Sequence, residues 1–168
     1  METAYDLLAA QPFLAGLTPR QLDKLSYWSK RRVFHAGARL FDEGGRADRF
    51  WLIKEGQITL DAAVPGRGSV VVETLGPAAV LGWSWLFPPY RWHFGAAAAQ
   101  TTLATELDGP GVRELCQRDP ELGYQLASRF TQVVVARLQA TRIRLLDLYR
   151  APGPPIDGQP AGQLRGAA

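Results

Sequence analysis

The sequence predicts a mainly β fold with flanking α-helices: a jelly-roll or β-roll barrel followed by one long C-terminal helix. Three observations lead there. Between Arg32 and Asp108, short segments alternate apolar with polar residues, and Gly or Pro punctuates them at Gly37, Gly44-Gly45, Gly56, Pro65-Gly66, Gly68, Gly76-Pro77 and Pro88-Pro89. Many short strands with regular turns pack as a sandwich or barrel. From Glu121 to Tyr149 only Gly123 interrupts a continuous helical pattern. The 168 residues, 46% of them hydrophobic, suffice for one domain with a packed core.

The elements follow in chain order. Residues 1–31 read as N-terminal helices, with a short one over 4–12. Thr18-Pro19-Arg20-Gln21 supplies an N-cap Thr, a Pro at the first helical position and a Gln three residues after the cap. Leu22 and Leu25 continue at helical spacing, and Lys30, Arg31 and Arg32 read as a basic knot at that helix's end, where cations suit the dipole. Residues 32–118 form the β-roll, its strands RLF, RFWLIKEG, QITLDAAV, SVVVETL and TTLATEL, with Gly56 in a hairpin turn that needs positive φ. Gly109-Pro110-Gly111 breaks the sheet, and Val112–Gln117 make a short helix. Residues 119–150 form the long helix, opened by Asp119 as cap and Pro120 at N1. Its stripe of Leu122, Leu126, Phe130, Val134, Leu138, Thr141, Leu145 and Leu148 runs about 43 Å at 1.5 Å per residue, longer than a small barrel covers. Part of the stripe is therefore expected to pair two copies of the chain. Residues 151–168, rich in Pro, Gly and Ala, read as a disordered tail.

Composition narrows the function classes. A net charge of +3 is too weak to imply nucleic acid without a concentrated basic face, and the arginines 129, 137, 142, 144 and 150 read as a solvated helix face. One cysteine, Cys116, excludes an internal disulfide, fits a reducing compartment and reads as a core packer rather than a nucleophile. No apolar run approaches the roughly 20 residues of a membrane span, and the acidic N-terminus lacks the basic start of a secretory signal. Cytoplasm is the expectation. Two histidines, His35 and His93, form no ligand-spaced pair, so no metal site is expected. Ser84 lies in Gly-Trp-Ser-Trp rather than a nucleophile elbow, and a capping role at a short helix is its ordinary reading. No catalytic residue is assigned, and the chain is not read as an enzyme.

A spaced set of residues carries a family resemblance. Phe41-x-Glu43-Gly44-x-x-Ala47-Asp48-x-Phe50-Trp51-Leu52-Ile53-x-x-Gly56-x-Ile58 resembles the signature of the sensor half of the catabolite-activator family of bacterial regulators, a cyclic-nucleotide-binding β-roll. Phe13–Leu17, and Leu107-Asp108 followed by Val112–Leu115, resemble the start and exit of that domain. The resemblance implies a phosphate-binding cassette, in which a short helix follows a Gly-Glu pair and a loop then carries an Arg before a small residue. Amides and one guanidinium there hold the cyclic phosphate, while the Glu accepts from the ribose. In this sequence Gly82 aligns with the glycine, Trp83 stands at the Glu position and Trp92 at the Arg position, with Arg91 one residue early.

Two readings stay open. In the first, Gly82, Trp83, Ser84, Trp85, Arg91, Trp92 and His93 bind a small anionic or aromatic ligand, with altered or absent cyclic AMP or cyclic GMP binding. No cofactor is assigned; a cyclic nucleotide is the one kept open. In the second, the aromatics fill the pocket, and the segment is a ligand-free surface that docks an unidentified protein partner. The family normally continues into a DNA-reading helix-turn-helix, whereas Pro, Gly and Ala follow here. The expectation is therefore a stand-alone regulatory homodimer that acts on neither DNA nor membrane.

Overall fold

The structure, a computed structural model, describes residues 2–150. The tail expected to be disordered, 151–168, lies outside them. Helix α1 (Ala4–Ala9), a 3₁₀ turn (Pro12–Leu14) and α2 (Pro19–Ser26) precede the strands. Both helices begin in capping boxes. The Thr18 hydroxyl accepts from the Gln21 amide at 3.2 Å while the Gln21 side chain accepts from the Thr18 amide at 2.9 Å, and Thr3 and Asp6 repeat the exchange.

Eight strands follow: β1 (Ser29–Phe34), β2 (Arg39–Phe41), β3 (Arg49–Glu55), β4 (Ile58–Val64), β5 (Gly68–Leu75), β6 (Val80–Leu81), β7 (Gly95–Ala98) and β8 (Thr102–Asp108). They form two antiparallel four-stranded sheets, ordered β1-β8-β3-β6 and β2-β7-β4-β5, so the β-roll is a pair of facing sheets and not a closed barrel. Lys30, Arg31 and Arg32 belong to β1, not to a helix end, and the expected boundary at residue 32 falls inside that strand. β1, β6 and β7 were not anticipated as strands. Gly56 makes the β3–β4 turn at φ +91°, where an added Cβ would lie 2.5 Å from the Thr101 carbonyl oxygen.

Alternation along β3 builds two cores. Phe50 and Leu52 face the helices and pack with Leu8, Leu22, Leu25, Val112, Leu122, Leu126 and Phe130. Trp51 and Ile53 face the other sheet and pack with Ile58, Leu60, Leu81, Ala96, Ala98 and Ala104. Helix α3 spans Gly109–Arg118, so the Gly-Pro-Gly run forms its first turn, with Asp108 as the cap accepting from the Gly111 amide at 2.8 Å. Helix α4 spans Pro120–Arg150, and Asp119 accepts from the Leu122 amide at 3.2 Å, as its sequence position predicts.

The chain divides into Met1–Val134 and a second unit beginning at Val135. In the first, the stripe residues Leu122, Leu126 and Phe130 are fully buried. In the second, Val135, Leu138, Ile143, Leu145, Leu146, Leu148 and Tyr149 are exposed. Arg129 departs from the solvated-face expectation: its guanidinium donates to the carbonyls of Phe13 (2.9 Å) and Ala15 (2.6 Å), tying α4 to the N-terminal segment. Among the described residues no helix is long and apolar enough to cross a membrane.

Candidate functional site

The 82–94 segment joins β6 to β7 without forming a helix. Among the described residues its internal backbone hydrogen bonds are turns, from the Leu86 amide to the Trp83 carbonyl (3.1 Å) and from the Tyr90 amide to the Phe87 carbonyl (3.0 Å). The short helix expected at Gly82–Trp85 is therefore replaced by turns, and Ser84 caps nothing. Its buried hydroxyl instead shares a 3.0 Å hydrogen bond with His93 Nδ1, and the His93 ring stacks on Trp83 at 4.9 Å. Among the described residues the amides of Trp83, Ser84 and Trp85 donate to no backbone acceptor.

Residues 90–92 are stitched to the β2–β3 turn as a short antiparallel ladder. The Ala47 amide donates to the Tyr90 carbonyl (2.7 Å), the Trp92 amide to the Gly45 carbonyl (2.9 Å), and the Gly44 amide to the Trp92 carbonyl (2.8 Å). Ladder alternation then decides which side chain enters the roll. Ala47 and Trp92 face inward and are buried, while Arg46 and Arg91 pair across the bridge and are exposed. A one-residue offset in a strand moves a side chain to the opposite face. The arginine that sits one residue early is thus outside, and the indole that replaces it is inside.

Trp92 is 5% exposed and stacks on Phe41 at 3.9 Å between ring centroids. It also meets Trp51 at 5.9 Å. Gly82, at φ +92°, passes under this indole: an added Cβ would stand 3.1 Å from the Trp92 ring and 3.3 Å from the Arg49 carbonyl oxygen. Trp85 goes elsewhere. It is fully buried on the helix side, stacked on Phe50 at 4.6 Å, and its carbonyl accepts from Arg113, whose guanidinium lies 4.1 Å from the Tyr90 ring centre. The seven expected residues thus occupy distinct settings. Gly82 and Trp92 meet inside the roll. Ser84 bonds His93, Trp83 stacks on His93 while packing with Trp85 against the helix-side core, and Arg91 lies outside.

Sequence reasoning missed Glu106, which supports this arrangement from below. It is 3% exposed on β8, accepts from Trp51 Nε1 at 2.9 Å and from Arg32 Nε at 3.1 Å, and pairs with Lys30 at 3.1 Å and Arg49 at 3.6 Å. Burial alone pushes this carboxyl up; the hydrogen bonds from Trp51, Lys30 and Arg32 outweigh it and hold Glu106 below the usual carboxylate range. The available signal was parity: Thr102, Ala104 and Glu106 occupy the inward positions of one strand, and an acid there needs partners. On the opposite sheet, Arg39 grips Asp61 with both terminal nitrogens, and that hydrogen-bonded pairing lowers the Asp61 carboxyl. Among the described residues no three of His, Cys, Asp and Glu gather as a metal set. Cys116 packs against the helix-side core, where burial and then Asp119 push its thiol up.

Comparison with known proteins gives consistent results. The family model for the cyclic nucleotide-binding domain matches residues 31–119, more than half of the chain. A CRP-like cAMP-activated global transcriptional regulator of Mycobacterium tuberculosis is 25% identical over 143 residues, covering 85% of this chain and 62% of that protein. The chain therefore spans less than two thirds of that relative's length. The solved structure of a cyclic nucleotide-binding-like protein from Brucella abortus is 30% identical with a TM-score of 0.55, covering 68% of this chain and 97% of the other. A cyclic nucleotide-binding domain from Methylobacillus flagellatus has a TM-score of 0.73 at 18% identity, covering 91% and 85%, a likeness of fold.

Proposed function

The chain belongs to the family of cyclic nucleotide-binding domains, and from that membership we propose a regulatory, non-catalytic module whose cassette takes a small anionic ligand, with affinity for cyclic AMP and cyclic GMP weakened or lost. The observation that carries this reading is Trp92, buried in the roll where the resemblance implies a phosphate-binding guanidinium. The ribose acceptor is also missing, because Trp83 stands at its position and no carboxylate occurs between Gly82 and Phe94. Each lost charged hydrogen bond is worth roughly 1.5–3 kcal/mol, so the two together correspond to about two to four decades in affinity. Calorimetric titration with cyclic AMP and cyclic GMP to millimolar concentration is expected to give no saturable heat. One-per-chain binding at micromolar concentration would defeat the proposal.

A second reading, a ligand-free docking surface, is favoured by one observation: Phe87 is 52% exposed beside the exposed Pro88 and Pro89. Absence of heat with every small anion tried would favour it.

The module is proposed to act as a cytoplasmic homodimer through the second half of α4, where Val135, Leu138, Leu145 and Leu148 are 48–75% exposed. Such a helix buries its apolar stripe against a partner or loses its main source of stability. Replacing Leu138 and Leu145 together by Glu is expected to halve the mass measured by sedimentation while the far-ultraviolet spectrum of the β-roll persists. An unchanged mass would remove α4 from the interface.

A further inference from the structure

We propose that Arg46 and Arg91 together form an oxyanion site on the outer face of the cassette ladder, selective for doubly charged phosphate monoesters over singly charged cyclic diesters. The proposal deepens the reading of the cassette as a ligand surface and rests on it.

The two arginines are paired across an antiparallel bridge. Hydrogen bonds join the residues on either side of them, Ala47 to Tyr90 and Trp92 to Gly45, but not the pair itself. In such a non-hydrogen-bonded pair the side chains lie closest, with Cα atoms about 4.5 Å apart. Inward-facing Ala47 and Trp92 fix both guanidiniums on the outer face. Like charges directly opposite each other destabilise a ladder unless something neutralises them. Neither forms an ion pair among the described residues, and Arg91's one hydrogen bond is to the Gly44 carbonyl at 3.2 Å. The acids on the adjoining turn are engaged elsewhere: Asp42 with Arg39 at 2.8 Å, Glu43 with the Ala63 amide at 2.9 Å.

Two planar forks on one face match an anion with several acceptor oxygens and about two charges. A phosphate monoester carries about −1.5 to −2 near neutral pH, whereas a cyclic diester carries one charge on two free oxygens. The ligand class follows from charge and oxygen count.

The test uses the intact chain at constant ionic strength, titrated with inorganic phosphate, with O-phosphoserine and with cyclic AMP, followed by amide chemical shifts. Both monoanion-to-dianion phosphates are expected to saturate, with shifts centred on residues 44–47 and 90–93, and cyclic AMP to bind at least about tenfold more weakly. Arg46→Ala and Arg91→Ala are each expected to weaken phosphate about tenfold or more, at a thermal midpoint in phosphate-free buffer equal to or above wild type. Arg46→Lys should restore part of the loss, which a folding defect would not do. Phosphate binding that Arg91→Ala abolishes and Arg46→Ala leaves intact overturns the pair but spares the cassette reading. Saturable shifts insensitive to both variants overturn the pair and leave the anion reading standing, whereas no saturable shift in the wild type overturns both.

Discussion

Glu106→Ala is expected to destabilise the domain by about 3 kcal/mol. The substitution strands the Trp51 indole N–H, which is buried between the sheets and has Glu106 as its acceptor. A buried donor left unpaired costs about 1–3 kcal/mol, and loss of charged hydrogen bonds adds a similar amount. The full penalty for breaking a buried ion pair, about 3–5 kcal/mol, is discounted because Lys30, Arg32 and Arg49 are 43–61% exposed and can turn to water. Glu106→Gln keeps an acceptor and should cost roughly half as much. Urea unfolding measures both, and an Ala variant within about 0.5 kcal/mol of wild type would show that the carboxylate is not holding the stack.

The pH dependence has a definite sign. The folded-state carboxyl titrates below its unfolded value, so its contribution is complete above the ordinary glutamate range, about 4.3, and is lost as pH falls through the lower folded value. Wild type should therefore lose stability relative to Glu106→Gln as pH drops below about 4. Asp61 contributes a parallel decline in both proteins, so the difference between their curves isolates Glu106. Parallel curves would contradict the assignment.

Trp92→Ala is expected to cost about 3–5 kcal/mol, the range for removing a large buried aromatic side chain. Stacking on Phe41 and contact with Trp51 place it toward the upper part of that range, since aromatic pairs add about 0.5–1.5 kcal/mol each. Trp92→Phe keeps part of the stack and should cost distinctly less. An Ala variant within 1 kcal/mol of wild type, by the same unfolding assay, would mean that the indole is not a core residue and that the roll has room for a ligand.

Much of this architecture is legible in the chain, and the reasons can be named. Thr18-Pro19-x-Gln21 predicts its capping box because the bonds involved span three residues. The Gly56 turn is legible because its backbone conformation favours one residue type. β7 escaped notice because Gly95-Ala96-Ala97-Ala98 carries no β-branched or aromatic residue. Its small side chains are a consequence of its neighbours: Ala96 and Ala98 lie in the core that holds Trp51 and Trp92, and a Cβ at Gly95 would collide with the Arg39 guanidinium. β1 escaped because Lys30-Arg31-Arg32 reads as a helix end until Glu106, 76 positions beyond Lys30, is seen to receive two of those cations.

The sequence by itself determined the coarse order of N-terminal helices, β-roll, short helix and long helix, the family signature from Phe41 to Ile58, and the absence of carboxylates from Gly82 to Phe94. Those depend on residue type and short-range spacing. Only the tertiary structure decided that Trp92 points into the roll, that Arg91 points out beside Arg46, and that the β-roll is two open sheets. Facing in a strand depends on register against a partner, and the partner here is a turn more than 40 residues away, joined by three backbone hydrogen bonds that leave no mark on the side-chain sequence.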